Sequence, residues 1–511
     1  MKPAPVLMIQ GTASNVGKSA LTTGLCRILA GQGLRVAPFK AQNMALNSAV
    51  TPTGAEIGRA QWEQALACGV EPDVHMNPVL LKPEGDRRSQ VVVQGRVRAS
   101  MSAVEYHAAK PELRGVVMDS LNRLRRTYDV VVIEGAGSPA EINLRENELV
   151  NMFVARQARA PVLLAGDIDR GGVFAAFVGT MALLEPEERS LVAGFIINKF
   201  RGDKRLLQPG LDFLLERTGV PVAGVMPWVD DLRLAEEDSL ALEGRHAPAT
   251  DGQPPLKITV LRPPRMSNYD EFATLEHEAG VDLRYVRDPG ELAGTHLVIL
   301  PGSKNTLSDM QWVRERGFSP ALEECRARGV PLLGICAGFQ MLGAEIRDPL
   351  AVESGIGSTP GLGLLPVTTC LARSKVTTSV RVSPRGSGFL GIGPAGGDWQ
   401  GYEIHMGETR PLDGPAPWIG IHHCNGRPVQ QSDGYVSGDG LLAGTLVHGL
   451  FENDDFRLQV LNRLRRRAGL PEQEASEVNS REQGFDHLAG VMREHMDMTL
   501  IDRLLDRQRS S

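Results

Sequence analysis

A chain of 511 residues is too long for one hydrophobic core and implies two or three domains, each burying its own. Hydrophobic residues at 42% and charged residues at 23% are ordinary globular values that exclude broad disorder, and a net charge of −6 argues against nucleic acid as the main partner. No apolar run approaches the ~20 residues of a membrane helix, and the stretch Val6–Ile9 is too short for the core of a signal peptide. The six cysteines (Cys26, Cys68, Cys325, Cys336, Cys370, Cys424) form no CxxC pair, so the expectation is reduced thiols in the cytoplasm.

Over residues 1–242 short apolar runs alternate with helical stretches. Val6–Ile9, Val130–Ile133, Val162–Ala165 and Phe195–Ile197 are continuously apolar, as strands buried on both faces of a parallel sheet must be. Ser19–Ala30 and the stretch around Val116–Arg126 have helical periodicity, giving the βαβ rhythm of a doubly wound sheet. Residues 243–255, rich in Pro, Gly and polar side chains, read as a linker. A second α/β domain over 256–511 follows, with strands expected at Lys257–Leu261, Leu297–Leu300 and Pro331–Ile335. Its tail, Leu488–Leu505, is amphipathic; Met492, Met496 and Met498 at helical spacing predict docking on the protein itself.

Gly11-Thr12-Ala13-Ser14-Asn15-Val16-Gly17-Lys18-Ser19 follows the first strand and opens the first helix, the setting a phosphate-binding loop requires. Glycines let successive N–H groups point inward, and the helix N-terminus adds its positive dipole end. Thr12, Gly17 and Lys18 are the expected nucleotide contacts, with the Ser19 hydroxyl on Mg²⁺. Five residues rather than four separate Gly11 from Gly17. This variant resembles the loop of dethiobiotin synthetase and its relatives, which use ATP to activate carboxylates. Glu134, ending the strand Val130–Ile133, is then the expected second metal ligand, and Asn198-Lys199 resembles a base-recognition turn that favours adenine. A partition-type ATPase is the non-enzymatic rival; it carries a second lysine where Ala13 stands.

Gly334-Ile335-Cys336-Ala337-Gly338-Phe339-Gln340 has the small residues that a sharp strand-to-helix turn demands around an exposed nucleophile. The helix start favours thiolate, and His448 in Val447-His448-Gly449-Leu450 is the expected base. Backbone N–H groups of Gly302 and Ala337 are the expected oxyanion donors. These segments resemble a class I glutamine amidotransferase domain. Most such domains have glutamate two residues after the histidine, where this chain has Leu450, so the orienting acid is missing or comes from elsewhere; Glu403 is one possible neighbour.

The leucine also occurs in the cobyrinic-acid branch of that family. Ala37-Pro38-Phe39-Lys40-Ala41-Gln42-Asn43-Met44 and Asp167-Ile168-Asp169-Arg170-Gly171-Gly172 look like signatures of the cobyric acid synthases. That resemblance implies glutamine, ATP and adenosylcobyrinic acid a,c-diamide as substrates, amidated at the b, d, e and g carboxylates through acyl phosphates. It places Lys40, Gln42 and Asn43 at the substrate. Cobyrinic acid a,c-diamide synthase is the neighbouring alternative. An ATP-switched binding protein with a vestigial glutaminase is the alternative that the missing glutamate suggests.

Overall fold

The computed structural model describes residues 2–85, 88–229, 254–394, 397–414, 416–474 and 481–510; the expected linker 243–255 falls almost wholly outside them. The first domain is built on six parallel strands in the order Val222–Pro227, Val192–Phe200, Val162–Asp167, Val6–Gly11, Val130–Glu134, Val36–Phe39. Val6–Gly11 and Val130–Glu134 are buried at every position, which is why they read as unbroken apolar runs. The order reverses beside Val6–Gly11, and its carboxyl end runs into the phosphate loop and helix α1 (Lys18–Gly31). A doubly wound sheet leaves its ligand crevice at that edge.

The helical stretch expected near residues 116–126 belongs to a longer helix, Ala103–Thr127, opened by a capping box between Ser102 and Glu105. A four-stranded sheet of Gln42–Met44, Val79–Pro83, Arg88–Val93 and Arg96–Ser102 lies beside the main one. The nine-residue helix α2 (Arg59–Ala67) precedes its second strand.

The second domain has its own six-stranded sheet, ordered Val281–Val286, Leu256–Leu261, Leu297–Leu300, Leu332–Ile335, Leu442–Thr445, Tyr435–Val436, parallel except at the last strand. A long antiparallel ribbon, Val367–Pro384 with Trp399–Pro411, packs over it and pairs Tyr402 with His448.

The amphipathic tail forms two helices, Arg481–His495 and Met498–Ser510. They pack on the first domain rather than on the second, to which sequence adjacency had joined them. Leu488, Met492, Met496, Ile501 and Leu505 share one buried cluster with Leu21, Leu25 and Leu29 of α1. The fit is close: a Cβ on Gly24 would lie 2.1 Å from the Met492 sulfur. Gln508 caps the first strand, accepting from the Val6 N–H at 3.0 Å and donating to its carbonyl at 2.6 Å. All six cysteines are free thiols, and among the described residues no helix is long and apolar enough to cross a membrane.

Candidate active site

Two constellations stand on the carboxyl edges of the two sheets. In the first domain the Lys18 ammonium lies against the loop, 2.9 Å from the Ala13 carbonyl and 3.2 Å from that of Gly137. Gly17 has φ 95°, and a Cβ there would meet the Asn198 amide nitrogen at 2.2 Å. That nitrogen donates to the Val16 carbonyl at 2.8 Å, so Asn198 braces the loop from the strand Val192–Phe200, two places along the sheet from Val6–Gly11. Lys199 donates to the Asn15 carbonyl and to Asp167, each at 2.8 Å. Asp167 also faces Arg170, and Asp169 faces Arg201. The Thr12 N–H joins the loop to the sheet through the Ala165 carbonyl at 2.9 Å.

Glu134 is the centre of this site. It is fully buried; its Oε1 accepts from the Ser19 hydroxyl at 2.8 Å and from Lys40 at 2.9 Å, and its Oε2 accepts from Gln64 at 2.6 Å. Burial alone would push the carboxyl up, but the Lys40 ammonium and these hydrogen bonds outweigh it and hold it below the usual range. Ser19 and Glu134 thus present adjacent hard oxygens at the phosphate loop. Mg²⁺ suits such a pair, since it takes one or two protein oxygens and completes its shell with water and phosphate. Lys40, expected at the substrate, is brought beside the phosphate loop through Glu134. Gln42 instead receives the Tyr106 hydroxyl at 2.5 Å, and the buried Asn43 donates to Gln61 at 3.1 Å.

In the second domain Cys336 stands at the turn between Leu332–Ile335 and Ala337–Leu342 with φ 52° and ψ −109°. Left-handed backbone at a residue bearing a side chain is strained and persists only when its surroundings enforce it. Gly338 permits the turn, because a Cβ there would sit 1.9 Å from the Leu300 carbonyl oxygen. Gly302 borders the same space: a Cβ on it would lie 3.0 Å from His448 Cε1.

His448 is buried beneath Tyr402, whose ring stacks on it at 5.2 Å and 11°. Its Nδ1 lies 2.9 Å from Glu271 Oε1, and Glu271 Oε2 accepts the Gly449 N–H at 3.0 Å. A carboxylate only accepts, so Nδ1 carries a proton, and Nε2 is the nitrogen left to exchange a proton with Cys336. Burial pushes His448 down, but Glu271 and the charge of Cys336 more than reverse this, raising it to about 10.

The orienting acid is therefore present, supplied by Glu271, 177 positions from the histidine. The sequence places it in Ser267-Asn268-Tyr269-Asp270-Glu271-Phe272, a short 3₁₀ turn after the strand Leu256–Leu261. Acidic residues past the end of a buried strand are the only signal, and nothing local ties them to His448. Glu403 is engaged elsewhere: it accepts from Thr378 at 2.9 Å and burial raises it to about 7.

Helix α2 spans the gap between the two sites. Gln64 contacts Glu134, while Arg59 lies 2.8 Å from Asp270, the residue next to Glu271. Arg59 also pairs with Glu452 at 2.6 Å, and its guanidinium lies over Trp62 at 4.3 Å.

Residues 7–242 match the family described as the CobQ/CobB/MinD/ParA nucleotide binding domain. Residues 257–456 match the CobB/CobQ-like glutamine amidotransferase domain. The chain is 52% identical to a cobyric acid synthase of Sorangium cellulosum, over 99% of this chain and all of that one. A Klebsiella pneumoniae cobyric acid synthase is 51% identical over 96% of each chain. The Moorella thermoacetica protein of that name is 50% identical over 99% of this chain and 98% of its own. On this full-length similarity, together with both halves of the geometry, the chain belongs to the cobyric acid synthase family.

Proposed function

We propose that the chain forms amides on the b, d, e and g carboxylates of adenosylcobyrinic acid a,c-diamide, using ATP and glutamine, as a step of cobalamin biosynthesis. The Cys336–His448–Glu271 constellation carries this reading, because it supplies what a glutaminase needs and removes the motive for a vestigial one. Nε2 of His448 takes the Cys336 proton, the sulfur attacks the glutamine side-chain amide, and the Gly302 and Ala337 N–H groups hold the oxyanion. His448 then donates its proton to the departing ammonia, and water releases glutamate. Tyr402 and the buried Glu271 keep the imidazole in one orientation and one tautomer.

In the first domain Lys18, Thr12 and Gly17 hold the phosphates, with Asn198 bracing the loop. Ser19 and Glu134 would hold Mg²⁺, which neutralises the charge that gathers as phosphate transfers to carboxylate. Lys40, on the same Glu134 oxygen, is placed to neutralise the incoming carboxylate. Ammonia displaces phosphate from the acyl phosphate. Of the three residues expected at the substrate, the position of Lys40 supports that role best.

The test is a mass spectrum of the corrinoid after incubation with ATP and either glutamine or ammonium salt. Each hydroxyl replaced by an amino group lowers the mass, and their number counts the amides. Cys336→Ala is expected to lose amidation from glutamine and keep it from ammonium. Full glutamine-driven amidation by that variant would refute the site.

A further inference from the structure

The cavity in front of Cys336 is not built by its own domain alone. Lys82 and Gln90, from two strands of the small sheet in the first domain, line it together with Lys304, Glu353 and Lys375 of the second. Lys375 crosses the boundary, with its ammonium 2.5 Å from Glu56 Oε2 and 3.2 Å from Gln90 Oε1. Lys82 approaches the other oxygen of Glu56 at 2.7 Å and the Ser48 hydroxyl at 2.8 Å. One carboxylate thus serves two ammoniums, and the cluster keeps an excess positive charge. Each ammonium has three N–H groups and directs two of them to these partners, leaving one apiece among the described residues. Lys304 is balanced by Glu84 at 3.1 Å.

The cavity's one acid is Glu353, among the described lining residues. It accepts from the Thr306 N–H at 2.6 Å, and burial raises it to about 7. A void with a nucleophile, surplus cationic charge and a carboxyl has the pattern of a free α-amino acid. Two nearly buried lysines sharing one acid would be a poor way merely to join domains, because like charges brought together out of water repel. Burial already pushes Lys375 down to about 8, and an incoming anion would offset that cost.

We infer that Lys375 and Lys82 jointly bind the α-carboxylate of glutamine, with Glu353 receiving its α-ammonium, so that the ATP domain forms one wall of the glutaminase's substrate pocket. This rests on the reading of Cys336 as the glutaminase nucleophile. The glutamine pocket is complete only while the two domains are apposed.

The test uses the full chain and two alkylating probes of Cys336: a diazoketone analogue of glutamine that keeps both α-groups, and iodoacetamide, which has neither. Lys375→Met and, from the other domain, Lys82→Met are each expected to slow diazoketone labelling ~10- to 100-fold, the range for a lost charged hydrogen bond. Labelling by iodoacetamide should change less than about twofold, since the thiol's own environment is intact. In the unaltered enzyme, glutamine α-amide, which lacks the carboxylate, should show a KM raised by a similar ~10- to 100-fold factor; this arm needs no variant to fold. Diazoketone labelling of the variants at the wild-type rate, or glutamine α-amide used as well as glutamine, overturns the inference. Failure of the diazoketone to label Cys336 in the unaltered enzyme refutes the nucleophile assignment itself.

Discussion

Replacing Glu271 by glutamine isolates what the distant acid does for His448. The substitution keeps the size of the side chain and one acceptor, but it removes the charge and forces one amide to serve both Nδ1–H and the Gly449 N–H. An amide nitrogen turned toward either donor leaves a buried donor unpaired, at ~1–3 kcal/mol. Positioned acid–base catalysis is worth ~10²–10⁴ in rate, and a thiol nucleophile depends on its base less than a hydroxyl does, so a loss of ~10²-fold is expected. That corresponds to about 2.7 kcal/mol. ADP release should be followed with glutamine and with ammonium salt; the loss should appear with glutamine alone.

The pH dependence of stability follows from the same pair. His448 sits at about 10 in the folded chain against an ordinary ~6.5 when unfolded. Its stabilisation is therefore complete below pH ~6.5 and fades as pH rises through about 10. The gap in melting temperature between wild type and Glu271→Gln should be widest near pH 6.5 and close towards pH 10. Glutamine turnover within threefold of wild type, with no such gap, would refute the role given to Glu271.

Other outcomes follow from single contacts. Lys40→Met leaves the buried Glu134 without its counter-ion; a loss of ~3–5 kcal/mol in denaturant unfolding is expected, with ATP turnover lost from either nitrogen source. Arg59→Met strands the buried Asp270 at the domain boundary, while Glu452 keeps Arg481, and should cost a comparable ~3–5 kcal/mol, read by the same unfolding curve. Gly338→Ala drives a Cβ against the immovable Leu300 carbonyl and should yield a chain that fails to accumulate in soluble form. Gly24→Val overpacks the face where Met492 docks and should lower stability by ~1–3 kcal/mol, measured as melting temperature.

Much of the fold and of each site was legible locally. Strands such as Val130–Glu134 announce themselves because both their faces are covered, and the phosphate loop and the Cys336 turn are contiguous segments whose backbone shape dictates small residues. What escaped the sequence was long-range. Glu271 reaches His448 only because the turn after the strand Leu256–Leu261 and the short strand Val447–His448, paired to the ribbon at Tyr402, converge in space. Lys82 meets Lys375 through the apposition of two domains, which no periodicity encodes. The tail was read correctly as self-docking, yet its amphipathic pattern says only that an apolar face exists, not which partner covers it. Its partner proved to be α1.

That tail alters what the glutaminase is within the molecule. The last strand of the first sheet ends at Pro227, and the helices Arg481–His495 and Met498–Ser510 pack back on that domain, so the second domain is an insertion within the first rather than a bead strung after it. A single cut between residues 230 and 253 would sever the backbone without freeing either half. The downstream fragment would still grip the upstream one through Met492, Leu488 and the hydrogen bonds of Gln508. An insertion fastened at both flanks has little freedom to swing, and a pocket whose walls come from both bodies needs that kind of fastening.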